Sequence, residues 1–172
     1  VTVIKKTVYE PTVQAQSVYT GNHIIALTVD TDALYTANGD LVATNVGNYA
    51  ITLTLKDANN YKWSGSENAS IELTYSITQA PNAITSLAVD GWTYGEEAKA
   101  PSVSATFGAS TVAYYYAPVG SQIYSEIIPT NAGTYNIKAV IAETANYAGA
   151  ERVLTAGLTI AKATLNVAFD KH

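Results

Sequence analysis

Thr44-Asn45-Val46-Gly47-Asn48-Tyr49-Ala50-Ile51 returns further along the chain as Thr130-Asn131-Ala132-Gly133-Thr134-Tyr135-Asn136-Ile137, with the same offset of 86 residues at every position. Repetition of this kind decides the architecture before any local reading does, because each copy is one structural unit. The offset holds downstream, where Asn60-Tyr61 falls on Asn146-Tyr147. A second marker closes each copy: Tyr75-Ser76-Ile77-Thr78-Gln79-Ala80 resembles Leu158-Thr159-Ile160-Ala161-Lys162-Ala163, now at an offset of 83. The first copy is therefore expected to carry about three extra residues just before its last strand.

The junction isoleucines Ile4, Ile77 and Ile160 are 73 and 83 residues apart, each interval suiting one small sandwich domain. The predicted division is 1–78 and 79–165, with 166–172 beginning a further repeat or forming a tail. Val1 to Val8 reads as the same junction once more, and Ala163-Thr164-Leu165-Asn166-Val167 as the first strand of another unit. A piece of a longer array is the expectation.

Within each copy, strands dominate. Tyr49, Ile51, Leu53 and Leu55 alternate with Thr52 and Thr54, and Tyr135, Ile137, Ala139 and Ile141 alternate with Asn136 and Lys138. Period two places the first set of each group in a core and the second in solvent. Further runs rich in Val, Tyr, Thr and Ile are punctuated by Gly and Asn, as at Asn38-Gly39 and Asn59-Asn60, the pattern of an all-β sandwich. Residues 143–152 are the only helix-tolerant stretch.

The Asn-x-Gly-x-Tyr pattern before an alternating strand is similar to the tyrosine corner of immunoglobulin-like sandwiches, with Tyr49 and Tyr135 in that place and Gly47 and Gly133 permitting the turn. Together with Gly91-Trp92-Thr93-Tyr94-Gly95-Glu96 and Asn60-Tyr61-Lys62-Trp63, it resembles the tandem bacterial Ig-like repeats of large Gram-positive cell-surface proteins, over almost the whole chain. The resemblance implies two tandem Ig-like antiparallel β-sandwich domains, with β-grasp-like repeats carrying one short helix each as the alternative. It also implies an extracellular setting at the cell surface or wall, neighbouring repeats as partners, and a non-catalytic spacer or adhesion role. No catalytic residues carry over. The second copy lacks an equivalent of Trp63, since Ala148-Gly149 follows Tyr147.

Composition narrows function further. Nine Lys+Arg against fourteen Asp+Glu, a net charge of −5, leave no basic cluster for neutralising phosphates, which argues against nucleic acid as a partner. No apolar stretch is long enough to cross a bilayer as a helix, so no membrane insertion is expected. Without cysteine there is no disulfide, thiol nucleophile or thiolate metal ligand. His23 and His172, the two histidines, fall in different parts of the repeat and read as surface positions. Asp30-Thr31-Asp32 offers carboxylates at alternate positions, but no Gly or downstream Glu completes a calcium loop. Ser64-Gly65-Ser66 reads as a turn rather than a nucleophile elbow. Glu67 and Glu96-Glu97 lack the facing partner that glycoside hydrolysis needs. No cofactor, metal or catalytic residue is therefore expected.

Thirteen tyrosines and two tryptophans remain. Aromatic faces can stack sugars or anchor a protein interface, so the competing reading is a module that binds a glycan or host protein through exposed Tyr and Trp. On an alternating strand, Tyr115 must face away from Tyr114 and Tyr116. Trp63 and Trp92 are expected to cap the core. Asn68-Ala69-Ser70 has the form of a glycosylation sequon. Lys5, Lys56, Lys138 and Lys162 are candidates for an internal Lys–Asn crosslink, which would need a buried Lys, Asn and acid together.

Overall fold

The long alternating segments form the two strands around which everything else is arranged. A computed structural model describes residues 4–107 and 111–167, and among these it contains fourteen strands and no helix, hence none long and apolar enough to cross a membrane. The chain divides between Ala80 and Pro81 into two compact units.

The first unit holds β1 (Lys6–Val8), β2 (Gln16–Val18), β3 (Ile24–Ile25), β4 (Tyr35–Gly39), β5 (Val42–Ala43), β6 (Gly47–Leu55), β7 (Tyr61–Trp63) and β8 (Ser70–Thr78). Its main sheet runs β2-β8-β6-β4, and two small sheets, β1-β7 and β3-β5, accompany it. Ile51, Leu53 and Leu55 on β6 are buried, as the alternation requires, and they share one core with Val8, Ala43 and Trp63 from the small sheets. The second unit holds β9 (Ile84–Ala88), β10 (Trp92–Thr93), β11 (Ser102–Ala105), β12 (Val112–Pro118), β13 (Gly133–Ile141) and β14 (Ala150–Ala161). Its main sheet runs β10-β14-β13-β12, with β9-β11 beside it. Ile137, Ala139 and Ile141 on β13 pack with Leu158 and Ile160 on β14 and with Ile84 and Leu87 on β9. Arg152 fastens the two sheets of this unit, its Nη1 donating to the carbonyls of Ile84 at 3.1 Å and Thr85 at 2.7 Å.

The two main sheets share one strand order. The pairs β4·β6, β6·β8, β12·β13 and β13·β14 are antiparallel, whereas β2·β8 and β10·β14 are parallel. The expectation of antiparallel sheets is thus corrected: each main sheet is mixed, and the small sheet β1·β7 is parallel. A parallel pair needs a long connection, and here the body of the unit supplies it, because the first strand of the main sheet lies beside the last. The β-grasp alternative is overturned as well. It needed a helix from residues 143–152, but residues 150–152 begin β14 and no helix occurs among the described residues.

The register resolves the length difference between the copies into separate parts. Ile51 pairs with Leu73 and Ile137 with Leu154, whereas Tyr49 pairs with Tyr75 and Tyr135 with Leu158. The offset on the last strand is thus 81 at its start, from Leu73 to Leu154, and 83 at its end, from Tyr75 to Leu158. The first unit carries five extra residues before β8, and the second carries two extra inside β14, which together give the expected difference of three.

Those two residues form a bulge opposite Asn136, and they overturn its assignment to solvent. Asn136 is buried, and its Oδ1 accepts a hydrogen bond from the Ala156 N–H at 2.9 Å. Ala156 stands at φ 51°, a left-handed conformation that costs a non-glycine residue about 1–2 kcal/mol. At the neighbouring Gly157 a side chain would run into Leu154. Asn136→Ala should therefore cost about 0.5–1.5 kcal/mol, the net worth of the hydrogen bond that holds the bulge. Ala156→Gly should gain about 0.5–1 kcal/mol after glycine's larger entropy loss is offset. Urea unfolding of both variants checks the pair, and a destabilised Ala156→Gly would contradict the role given to the bulge.

Candidate functional site

Both copies of the repeated octapeptide build the same lock. Tyr49 Oη donates to the Asn45 carbonyl at 2.6 Å, and Tyr135 Oη to that of Asn131 at 2.9 Å. Each ring folds back over the glycine two residues before it. A Cβ on Gly47 would lie 3.2–3.4 Å from the Tyr49 ring, and one on Gly133 3.4–3.5 Å from that of Tyr135. Neither glycine has a positive φ, so their role is to leave room for the ring rather than to permit a left-handed turn. Both tyrosines are half-buried.

In the first unit this lock opens onto an aromatic groove. Tyr49 stacks on Tyr75 of β8, with ring centroids 5.1 Å apart and planes at 23°, and Tyr75 Oη donates to the Asp40 carbonyl at 2.8 Å. Asp40, Asn48, Thr74 and Ser76, with Ala15 and Ala50, complete the lining of a shallow cavity of about 570 Å³. Burial, followed by the nearby Asp40 charge, raises the Tyr75 phenol above its usual range. A carboxylate, an amide and two hydroxyls around a tyrosine pair can hydrogen-bond a polar ligand. Both tyrosine protons are already committed to carbonyls, which leaves the rings as stacking faces. The second unit has Leu158 at the position of Tyr75 and lacks the stack.

In the second unit the aromatic surface lies on the outer face of the sheet. Tyr115 pairs across strands with Lys138, and the Lys138 Nζ sits 5.3 Å from the Tyr115 centroid and 5.2 Å from that of Tyr124. Two rings around one ammonium give a cation–π arrangement. A hydrogen bond to the Glu126 carboxylate, then its charge, raises the Tyr115 phenol above its usual range. Tyr116 faces the core, as the alternation predicts. Tyr124 and Glu126 come from an insertion. Gly39 and Tyr116 hold equivalent pairing positions, yet Thr130 follows Tyr116 at a distance nine residues greater than Thr44 follows Gly39. The insertion returns along the free edge of β12, where Ser125 and Tyr116 exchange backbone hydrogen bonds of 2.7 and 2.9 Å. It displays Ile123 at 83% and Ile127 at 79% exposure.

The remaining residues singled out by sequence do not converge. Trp63 and Trp92 are both buried, which removes tryptophan from any ligand platform. Trp63 is placed by the turn before it, where Asp57 accepts hydrogen bonds from the Asn59 and Asn60 backbone N–H groups and from the Asn60 amide. The Asn60 amide, chiefly, holds the Asp57 carboxyl below its usual range. His23 is exposed and meets Thr44 Oγ1 at 2.7 Å; His172 lies outside the described residues. Asp30, Thr31 and Asp32 occupy an exposed turn, and no group of three metal-ligating side chains occurs among the described residues. Glu67 is paired with Lys62 at 2.6 Å, and Glu96 accepts from the Thr93 N–H at 2.7 Å. Ser64 and Gly65 form an exposed bend, and Asn68 of the sequon is exposed. Lys5 and Lys138 are half-buried and Lys56 and Lys162 exposed, so none meets the burial that an internal crosslink requires.

Sequence reasoning missed Asp40, Asn48 and Tyr75, although the alternation of Tyr75 with Ile77 marks both as inward-facing. No family model matches this chain, and no curated protein matches it.

Proposed function

We propose that the chain is a non-catalytic pair of Ig-like repeats serving as a spacer or adhesion segment of a larger extracellular bacterial surface protein. The observation that supports this most is duplication of framework without duplication of chemistry. The sheet order and the Tyr49 and Tyr135 locks occur twice, while the polar groove and the lysine–tyrosine cluster occur in one unit each. A repeated scaffold with unrepeated surfaces suits a segment whose common task is to fold, extend and connect. The alternative, a module that binds a glycan or host protein, is favoured by the Tyr49–Tyr75 groove and the exposed insertion, and relies on no tryptophan because both are core.

Calorimetric titration of the chain with cell-wall glycans and with extracellular-matrix proteins separates the two. The spacer reading expects no single-site heat. A micromolar affinity that disappears in Asp40→Ala or Ile127→Ser would replace it with the binding reading.

A further inference from the structure

Each unit is closed by a parallel pairing of the first and last strands of its main sheet, with one strand of a small sheet, β1 or β9, ahead of it along the chain. When tension acts along the chain, two parallel strands held this way are drawn past each other. All hydrogen bonds between them then bear the load together, whereas strands parted from one end lose their bonds singly. We propose that β2·β8 and β10·β14 are load-bearing clamps of unequal strength, a further function that rests on the spacer reading.

The inequality follows from bond inventories. The β2·β8 clamp pairs Gln16, Ser17 and Val18 with Ser76, Ile77 and Thr78. It is extended at both ends by Ser76 N–H donating to the Ala15 carbonyl at 2.9 Å and Tyr19 N–H to that of Thr78 at 2.8 Å. Thr78 Oγ1 adds a side-chain bond to the Ser17 carbonyl at 3.2 Å. The β10·β14 clamp pairs only Trp92 with Ile160 and Thr93 with Ala161, followed by Tyr94 N–H to the Ala161 carbonyl at 2.8 Å. The second unit therefore yields first, and the pair lengthens in two graded steps.

Single-molecule pulling on the whole chain tests this. At about 3.3–3.6 Å per extended residue, release of the second unit from β9 to β14, residues 84–161, frees about 270 Å and release of the first from β1 to β8, residues 6–78, about 250 Å, so the longer step is expected at the lower force. The absence of native cysteine lets two handle pairs be placed cleanly on the exposed positions 14, 20 and 81. Gln14→Cys with Pro81→Cys loads β2·β8 in shear, and Thr20→Cys with Pro81→Cys opens the same pair from one end. Circular dichroism checks that both variants are folded. Rupture several-fold weaker for the 20–81 pair supports the clamp. Equal forces in the two geometries, or the longer step at the higher force, would overturn it. Neither outcome depends on ligand binding, so failure of the clamp is distinguishable from failure of the spacer reading.

Discussion

Replacing Trp63 by alanine should destabilise the first unit by about 3–5 kcal/mol, the cost of emptying a large aromatic site in a packed core. The side chain is 1% exposed, its ring lies 5.4 Å from that of Tyr35, and its Nε1 donates to the Ala69 carbonyl at 3.3 Å. The loss is thus apolar burial, one aromatic contact and one hydrogen bond together. Small domains are stable by only about 5–15 kcal/mol, so this one substitution removes a large share of the total. The readout is unusually direct because the chain has two tryptophans and the variant keeps Trp92 alone, in the core of the second unit. Circular dichroism in urea should show an early transition, while Trp92 fluorescence reports the later one at its original midpoint. A shift of the Trp92 transition by the same amount would mean that the two cores unfold as one block.

Gly39→Ala should cost about 3 kcal/mol, the upper part of the range for a residue forced into a disfavoured backbone state. Two penalties coincide there. Gly39 has φ 102°, and a Cβ on it would stand 2.5 Å from the Ala50 carbonyl oxygen on the paired strand β6. Backbone cannot yield as the end of a flexible side chain can, so β4 would have to leave β6. Gly21 provides the comparison within the same unit, with φ 81° and only the Tyr19 hydroxyl near its would-be Cβ, at 3.9 Å. Gly21→Ala should cost only the conformational penalty of about 1–2 kcal/mol. Equal losses in thermal melting of the two variants would remove the steric part of the argument.

The parts of the fold legible in the sequence are those written in short range. The Tyr49 and Tyr135 locks sit within four residues of their acceptors, and the inward faces of β6 and β13 follow from period two. The parallel pairs were not legible, because β2 and β10 are three and two residues long and their paired residues lie 60 and 68 positions on, a pairing that only the assembled unit selects. Asn136 was misplaced because alternation assumes an unbroken ladder, and the bulge that turns it inward is held by Ala156, which carries no glycine signature. Its neighbour Gly157 was the one visible hint. The Tyr49–Tyr75 groove escaped because Asp40, Asn48 and Tyr75 come from separate segments. The insertion that carries Tyr124 and Glu126 becomes visible only when Gly39 and Tyr116 are aligned by their pairing.

The bulge in β14 also bears on how neighbouring repeats avoid exchanging parts as they fold. Similar strands joined in tandem invite misassembly, in which the last strand of one copy completes the sheet of the other. If β14 lay against β6, its two extra residues would face Ala50, which has no side-chain acceptor for the Ala156 N–H. If β8 lay against β13, the Asn136 amide would be enclosed with no bulge to accept from. Only the pairing of β8 with β13 encloses a polar group without its partner, the buried Asn136 amide, which β14 satisfies through the Ala156 N–H. A small irregularity in one ladder thereby gives β13 a reason to prefer the last strand of its own unit.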